Sequence, residues 1–109
     1  MGSLNYASAS APIQMDDRVL AHVRAVVVTK LRRGESFALT MPERDGATET
    51  LWMHASIPLR FHLDVDVSLD HELLTVMMNE ASSTRGLDLT GPRLAAQVAS
   101  GRHLKAMTA

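Results

Sequence analysis

The clearest candidate for binding chemistry is a basic segment at residues 18–33. Every charged residue in it is basic: Arg18, Arg24, Lys30, Arg32 and Arg33. Such cations can position phosphate groups through charge-assisted hydrogen bonds, with an affinity that depends on salt and not on base sequence. The alternative is a solvated helix face whose cations pair with Glu35 or with acids further along the chain, namely Asp64, Asp66, Asp70 and Glu72. These acids favour pairing because they weaken any phosphate-binding field.

A second candidate surface is centred on Trp52. Strand alternation predicts that Trp52, His54, Arg60 and His62 share the polar face of a sheet. An aromatic ring among cations could stack on bases or form a hot spot in a protein interface. Proteins that bind single strands usually present several aromatic rings, and this chain has only one Trp, one Tyr and two Phe. A protein interface, or a partly buried Trp with no binding role, is therefore favoured, and a homodimer through this face is the simplest partner.

Together the two surfaces supply the residues that we predict to bind nucleic acid or a protein partner. They are Arg18, His22, Arg32, Arg33, Trp52, His54 and Arg60. His22 is included because helical spacing places it with Arg18 and Arg32 on the polar side of the predicted helix.

Catalytic and metal chemistry find little support in the sequence. His62, Asp64 and Asp66 alternate on one side of a predicted strand and His71 follows, a set that could ligate a divalent metal. Tightly spaced pairs of histidine ligands are missing, however. The chain also has no Cys, no G-x-S-x-G turn and no glycine-rich phosphate loop. We therefore predict no enzyme activity, no metal and no cofactor.

The basic segment lies on the clearest predicted helix, residues 17–33. Asp16 is a suitable N-cap, and Gly34 suits the position just after the helix. The polar residues gather opposite an apolar face that consists of Val19, Leu20, Val23, Val26, Val27 and Leu31. Consecutive valines have low helix propensity, so burial of this face must hold the helix.

Alternating apolar residues predict strands on both sides of that helix. Two short strands joined by a turn are expected between residues 4 and 15. Residues 36–41 and 48–57 form a predicted hairpin around the turn-forming sequence at 42–46, and residues 59–66 form a half-buried strand. Ser68 is expected to cap a second helix that stops at Gly86, and residues 87–89 form a short strand.

The order of these elements predicts the fold class. Pro92 suits the first turn of a last helix that continues to about Lys105. The order ββαβββαβα then predicts an α+β fold, with a small, mostly antiparallel sheet and two or three helices packed on one face. The predicted core includes Leu20, Val23, Val27, Phe37, Leu39, Phe61, Leu63, Leu73 and Met77.

Length and composition limit the classes of protein. The 109 residues fit one compact domain, which we place at residues 1–90, with 91–109 as a C-terminal helix or a partly frayed tail. Hydrophobic residues make up 46% of the chain, enough for a core. The net charge of -1 provides no long-range attraction to nucleic acid, so such binding would need a local patch. With no secretory leader and no long apolar stretch, we expect a cytoplasmic protein without membrane contact.

Several segments of the chain resemble a known family. They are Met1-Gly2 with Leu4 and Tyr6, Asp16-Asp17-Arg18 with Leu20-Ala21-His22, residues 30–37 (KLRRGESF) and residues 51–61 (LWMHASIPLRF). They are similar to short, uncharacterised actinobacterial proteins over about residues 1–90, and the segments 30–37 and 52–61 carry the most specific part of the likeness. The sequence after Gly91 departs from the family pattern.

Members of that family often carry the automatic label ATP-dependent DNA ligase, which implies a DNA-related role. Ligase catalysis requires a K-x-D-G motif, and neither Lys30 nor Lys105 begins one. The sequence therefore predicts a non-catalytic binding domain whose basic helix contacts nucleic acid or an acidic protein. The alternative is a homodimeric protein–protein interaction module with no role in nucleic-acid binding.

Overall fold

A computed structural model describes residues 1–92 and residue 94, with the side chain of Arg44 left out. The strands are β1 (Gly2–Tyr6), β2 (Ile13–Met15), β3 (Phe37–Pro42), β4 (Thr48–Met53), β5 (Leu59–His62) and β6 (Leu87–Asp88). The helices are α1 (Asp17–Arg32) and α2 (His71–Ala81), and a 3-10 turn at Arg44–Gly46 joins β3 to β4. The predicted α+β class is confirmed, and the order of elements agrees with the predicted order as far as β6.

The strands divide into two three-stranded sheets. The first has the order β2-β1-β5 with both pairs antiparallel, so that Leu4 lies opposite Ile13 and Phe61. The second has the order β4-β3-β6, in which β3 pairs antiparallel with β4 and parallel with β6. Helix α1 contacts β1 and α2, while α2 contacts β3 and β6. The sheets are mostly antiparallel, as predicted, and the two helices connect them.

Helix α1 forms where the sequence predicts it. Asp16 lies at the N-cap position, and the backbone N–H of the C-cap residue, Arg33, donates back into the last turn. Gly34 follows with a φ of 73°, in the left-handed region that glycine adopts without strain. The apolar face is buried at Leu20, Val23, Val26 and Val27. Contact with the core thus offsets the low helix propensity of the valines.

Helix α2 begins later and ends earlier than predicted. Its N-cap is Asp70 and not Ser68, because the Asp70 carboxylate accepts hydrogen bonds from the N–H groups of Glu72 and Leu73. Leu69, expected on the buried face, therefore precedes the helix and is exposed. The helix stops at Ala81, and Gly86 serves instead in the turn that leads into β6, with a φ of 75°.

Strands β4 and β5 are also shorter than predicted. Strand β4 stops at Met53, because a turn follows in which the N–H of Ile57 donates to the carbonyl of His54. Strand β5 stops at His62, which lies opposite Ser3 near the beginning of β1, so the chain beyond it has no further strand to pair with. Val65, expected on the apolar face of a longer strand, is exposed as a result.

The buried residues form one cluster to which both helices and strands of both sheets contribute. The predicted core residues are buried in seven cases, namely Leu20, Val23, Val27, Phe37, Leu39, Leu73 and Met77, whereas Phe61 and Leu63 pack against the core and stay partly exposed. The predicted last helix lies outside the described residues apart from Pro92 and Leu94. Within the described part of the chain, neither helix is long and apolar enough to cross a membrane.

Candidate binding surfaces

Two cations of the basic segment form ion pairs, and each of them contacts a residue that caps α2. Arg18 Nη2 lies 3.0 Å from Asp70 Oδ2, and the Arg18 side chain is only 12% exposed. Lys30 Nζ lies 3.0 Å from Glu35 Oε1 and donates to Ser82 Oγ at 3.1 Å. Lys30 is buried. Both cations are therefore paired with acids, as the alternative interpretation of the basic segment expects. Through Asp70 and Ser82 they also connect the two ends of α2 to α1.

His22 does not lie on an exposed polar face, and the prediction for this residue is wrong on that point. Its side chain is fully buried. Nδ1 lies 2.6 Å from the carbonyl oxygen of Arg18, and Nε2 lies 2.8 Å from the backbone nitrogen of Asp70. Because Nε2 accepts from an N–H group, the ring proton belongs on Nδ1, where it is donated to Arg18. His22 is buried because α2 covers a second side of α1.

Three arginines of the segment remain exposed: Arg24, Arg32 and Arg33. None of them forms an ion pair with any of the residues that the structure describes. Arg24 and Arg32 are two helical turns apart, a separation of about 12 Å along the axis. The exposed arginines therefore include Arg24, which the sequence interpretation did not select, and exclude Arg18, while His22 is buried.

Trp52 lies on the outer face of the hairpin formed by β3 and β4, and it is 56% exposed. Its neighbours in β4, Leu51 and Met53, point into the core, so strand alternation directs the indole outward. The Trp52 face comprises Ala38, Thr40, Pro42, Thr48, Thr50 and Trp52, which face one another across the two strands and carry no charge. Asp88 borders this face beside Thr40.

His54 and Arg60 do not join Trp52 on one face of a sheet. Strand β5, which carries Arg60, pairs with β1 in the first sheet, whereas β4 belongs to the second. His54 lies in the turn between them, where Nδ1 is 2.7 Å from Ser56 Oγ. The predicted common face is therefore wrong, because the turn carries the chain from one sheet to the other. A binding role for each residue stays a prediction.

The acids and histidines considered as metal ligands are used in local pairs. His62 Nε2 lies 3.1 Å from Asp64 Oδ1, and the Met1 amine lies 3.2 Å from Asp64 Oδ2. Hydrogen bonds from this amine and from His62 hold the pKa of Asp64 below its usual value. Within residues 1–92 and 94, no three His, Asp or Glu side chains are placed to hold a metal ion. Asp66 and His71 thus do not complete a ligand set.

A groove of about 790 Å³ separates the β1–β2 hairpin from the β3–β4 hairpin. Its acidic lining consists of Glu43, Asp45 and Glu49, and its apolar lining includes Tyr6, Ile13, Met41 and Leu51. A hydrogen bond with the Glu43 carboxyl, together with partial burial, raises the pKa of Glu49 above its ordinary value. The sequence interpretation missed this groove. One signal could have indicated it, since Glu49 alternates with Leu51 and Met53 on the apolar side of β4.

Comparison with known proteins gives one match. No curated protein and no solved structure matches the chain. A family model described as a domain of unknown function (DUF7882) matches residues 1–92, which include both helices, all six described strands and the surfaces above. The ligase label and an actinobacterial origin remain expectations from the sequence resemblance. On the extent of this match, the chain belongs to the DUF7882 family.

Proposed function

We propose that this domain is a non-catalytic binding module that contacts another protein through the Trp52 face, and that a second copy of the chain is its simplest partner. The observation that carries the proposal is the 56% exposure of Trp52 on an uncharged strand surface. Tryptophan is the residue type most enriched at the energetic centres of protein interfaces. An indole left in water on such a surface loses unfavourable hydration when a partner covers it.

Several polar groups on or beside this face already form hydrogen bonds within the protein, which lowers the desolvation free energy lost when a partner covers it. The hydroxyl groups of Thr40 and Thr50 lie 2.8 Å apart and hydrogen-bond each other, so only one of these two hydroxyl protons needs a new acceptor when water leaves. The carbonyl of Trp52 already accepts a hydrogen bond from the Tyr6 hydroxyl at 2.7 Å. A face that combines uncharged side chains, the paired hydroxyls of Thr40 and Thr50 and one large aromatic ring resembles the centre of a protein interface, which is depleted of charged residues.

The chain contains a single Trp, and the intrinsic fluorescence of the protein therefore reports on this face alone. We expect concentration-dependent association in sedimentation experiments over about a hundredfold range, accompanied by a blue shift of the emission as the indole leaves water. Trp52→Ser should abolish the association. Val65→Ser is the matched control, because Val65 is equally exposed but lies outside the Trp52 face. A protein that stays monomeric with an unshifted emission at the highest concentration would exclude self-association.

A second candidate function is sequence-independent binding of nucleic acid by Arg24, Arg32 and Arg33. It is favoured by the exposure of these arginines and by the lack of ion pairs to them among the described residues. Binding by three phosphate contacts would be weak and would fall steeply with salt. It would also have to act against a net charge of -1.

The nucleic-acid candidate is tested by titrating labelled duplex and single-stranded DNA at two salt concentrations. Replacing Arg24, Arg32 and Arg33 by Ala should remove the binding and its salt dependence. The control replaces Arg85 by Ala, because Arg85 is an exposed arginine outside α1 and outside the predicted binding residues. Retention by the control and loss by the triple variant would support the candidate. No binding by the unmodified protein at low salt would rule it out, and the protein-binding proposal would be unaffected.

A further inference from the structure

The direction of the backbone groups in β4 follows from two hydrogen bonds outside the β3–β4 pair. The Tyr6 hydroxyl donates to the carbonyl of Trp52, so this carbonyl points away from β3. On the other side of the hairpin, the carbonyl of Thr40 accepts from the N–H of Leu89 beside β6, so it points away from β4. In an antiparallel strand the N–H and C=O groups of one residue point to the same side.

The N–H and C=O groups of Thr48 and Thr50 therefore point outward from the sheet, as does the N–H of Trp52. The register agrees, because Thr48 lies opposite Pro42, which has no N–H to offer. Within residues 1–92 and 94, no backbone group pairs with this edge of β4. The result is a free sheet edge of about 17 Å, counting roughly 3.4 Å for each residue from 48 to 52.

The acidic groove lies beside this edge, on the face of β4 that carries Glu49 and Leu51. Tyr6, which reaches the carbonyl of Trp52, also lines the groove, and Glu49 and Leu51 of β4 line it from the other side. No Lys, Arg or His is among the described lining residues. The Glu43 and Glu49 carboxyl groups share a hydrogen bond, and this contact is the main reason that the pKa of Glu49 is raised.

We propose that this groove binds an extended, basic peptide segment of a partner protein, which adds as a strand to the free edge of β4. The outward N–H and C=O groups of Thr48 and Thr50 would pair with the peptide backbone, as in other cases of strand addition. Lysine or arginine side chains at alternate positions would meet Glu43, Asp45 and Glu49. The side chains between them would point to the opposite face of the sheet, beside Thr48 and Thr50.

Charge argues against a second copy of the chain at this edge. Antiparallel self-pairing about Thr50 would bring a second acidic hairpin, with its own Glu43, Asp45 and Glu49, to the same groove. Like charges at close range disfavour such a pair, and an inward-directed acid on an edge strand is a known protection against self-association. The proposed occupant of this edge is therefore a segment of another protein and not a second copy of the chain.

The probe is a six-residue peptide with alternating Lys and Val, titrated at low salt against the full-length protein. We expect saturable binding, with amide signals of Thr48, Thr50 and Trp52 shifted in nuclear magnetic resonance spectra and slowed in hydrogen exchange. The double variant E43Q/E49Q should bind about tenfold more weakly, since two partly exposed ion pairs are lost. The matched control is D66N/E72Q, which removes the same charge from exposed positions elsewhere.

A second peptide separates strand addition from attraction by charge alone. It carries the same side chains but has methylated backbone nitrogens, so it cannot donate to the free edge. Its binding should be lost, and a Glu–Val peptide should also fail to bind. Equal affinity of the methylated peptide, equal affinity of E43Q/E49Q, or absence of binding by the Lys–Val peptide would each overturn the proposal. The Trp52→Ser variant should still bind the peptide, so the failure of self-association and the failure of this site remain distinguishable.

Discussion

Nε2 of His22 accepts a hydrogen bond from the backbone N–H of Asp70, with the two nitrogens 2.8 Å apart. The same imidazole donates through Nδ1 to the carbonyl of Arg18 within α1. Asp70 in turn caps α2 and pairs with the Arg18 side chain. Residues separated by about fifty positions in sequence therefore form one polar cluster at the junction of the two helices.

We predict that His22→Ala destabilises the protein by about 2 to 4 kcal/mol, because it leaves a cavity together with an unpaired N–H at Asp70. The free energy of unfolding by urea measures this loss. His71→Ala is the control, since His71 is exposed on α2 and should change stability by less than about 0.5 kcal/mol. Equal stability of the two variants would show that His22 has no structural role.

Two substitutions at Asp70 separate its cap from its charge. Asp70→Asn keeps a side-chain oxygen that can accept from the N–H groups of Glu72 and Leu73, but it removes the ion pair with Arg18. We expect a loss of about 0.5 to 1 kcal/mol for Asp70→Asn and about 2 kcal/mol for Asp70→Ala, which removes both interactions. Ser68→Ala, at the cap position that the sequence favoured, should have almost no effect. A larger loss at Ser68 than at Asp70 would contradict the cap assignment.

Gly2 is predicted to tolerate no larger residue. A Cβ atom there would lie 2.5 Å from Leu20 Cδ2, 2.7 Å from Asp17 Oδ1 and 2.8 Å from the carbonyl of His62. Gly2→Ala should therefore cost about 1 to 3 kcal/mol through displacement of β1 from α1. Thermal unfolding of Gly2→Ala beside Ser3→Ala tests this, and similar melting temperatures would disprove the close packing.

The raised pKa of Glu49 predicts a pH dependence with a definite sign. The protonated carboxyl, which shares a hydrogen bond with Glu43, contributes stability below the ordinary pKa of a glutamic acid, and this contribution is lost as pH rises through the raised value. Glu49→Gln mimics the protonated form, so the variant should gain stability relative to the unmodified protein as pH increases from acidic to neutral. Denaturant midpoints measured across that range check the trend. A constant difference between the two proteins would argue against it.

Several elements of the fold could be predicted from the sequence, because they depend on interactions between residues that are close together in the chain. The apolar periodicity of residues 17–33 and the glycine that follows them specified α1, since both features act within one helix. The alternation of Phe37, Leu39 and Met41 likewise specified β3, and the turn residues after it specified the hairpin with β4. Trp52 was correctly placed on an outward face, because alternation in a strand is a property of the backbone itself.

The binding surfaces, in contrast, depended on contacts between distant segments. Helical spacing assigns a residue to an angle, but the structure covers α1 on two sides, and so His22 is buried although its angle lies within about 20° of that of Arg33. Ser68 and Asp70 are both suitable residue types for an N-cap. In the structure the N-cap is Asp70, which also contacts Arg18 and His22 of α1. Alternation cannot tell whether successive strands share a sheet, which is why Arg60 was grouped with Trp52.

The acidic groove depends most clearly on contacts between segments that are far apart in the sequence. Its walls are two hairpins, residues 6–14 and 41–51, that α1 separates in the chain. Each hairpin is predictable alone, because its turn and its alternation are local. The distance between the two hairpins depends on how both pack against the common core. The energy of that packing comes from contacts throughout the fold, and no single segment of the sequence determines it.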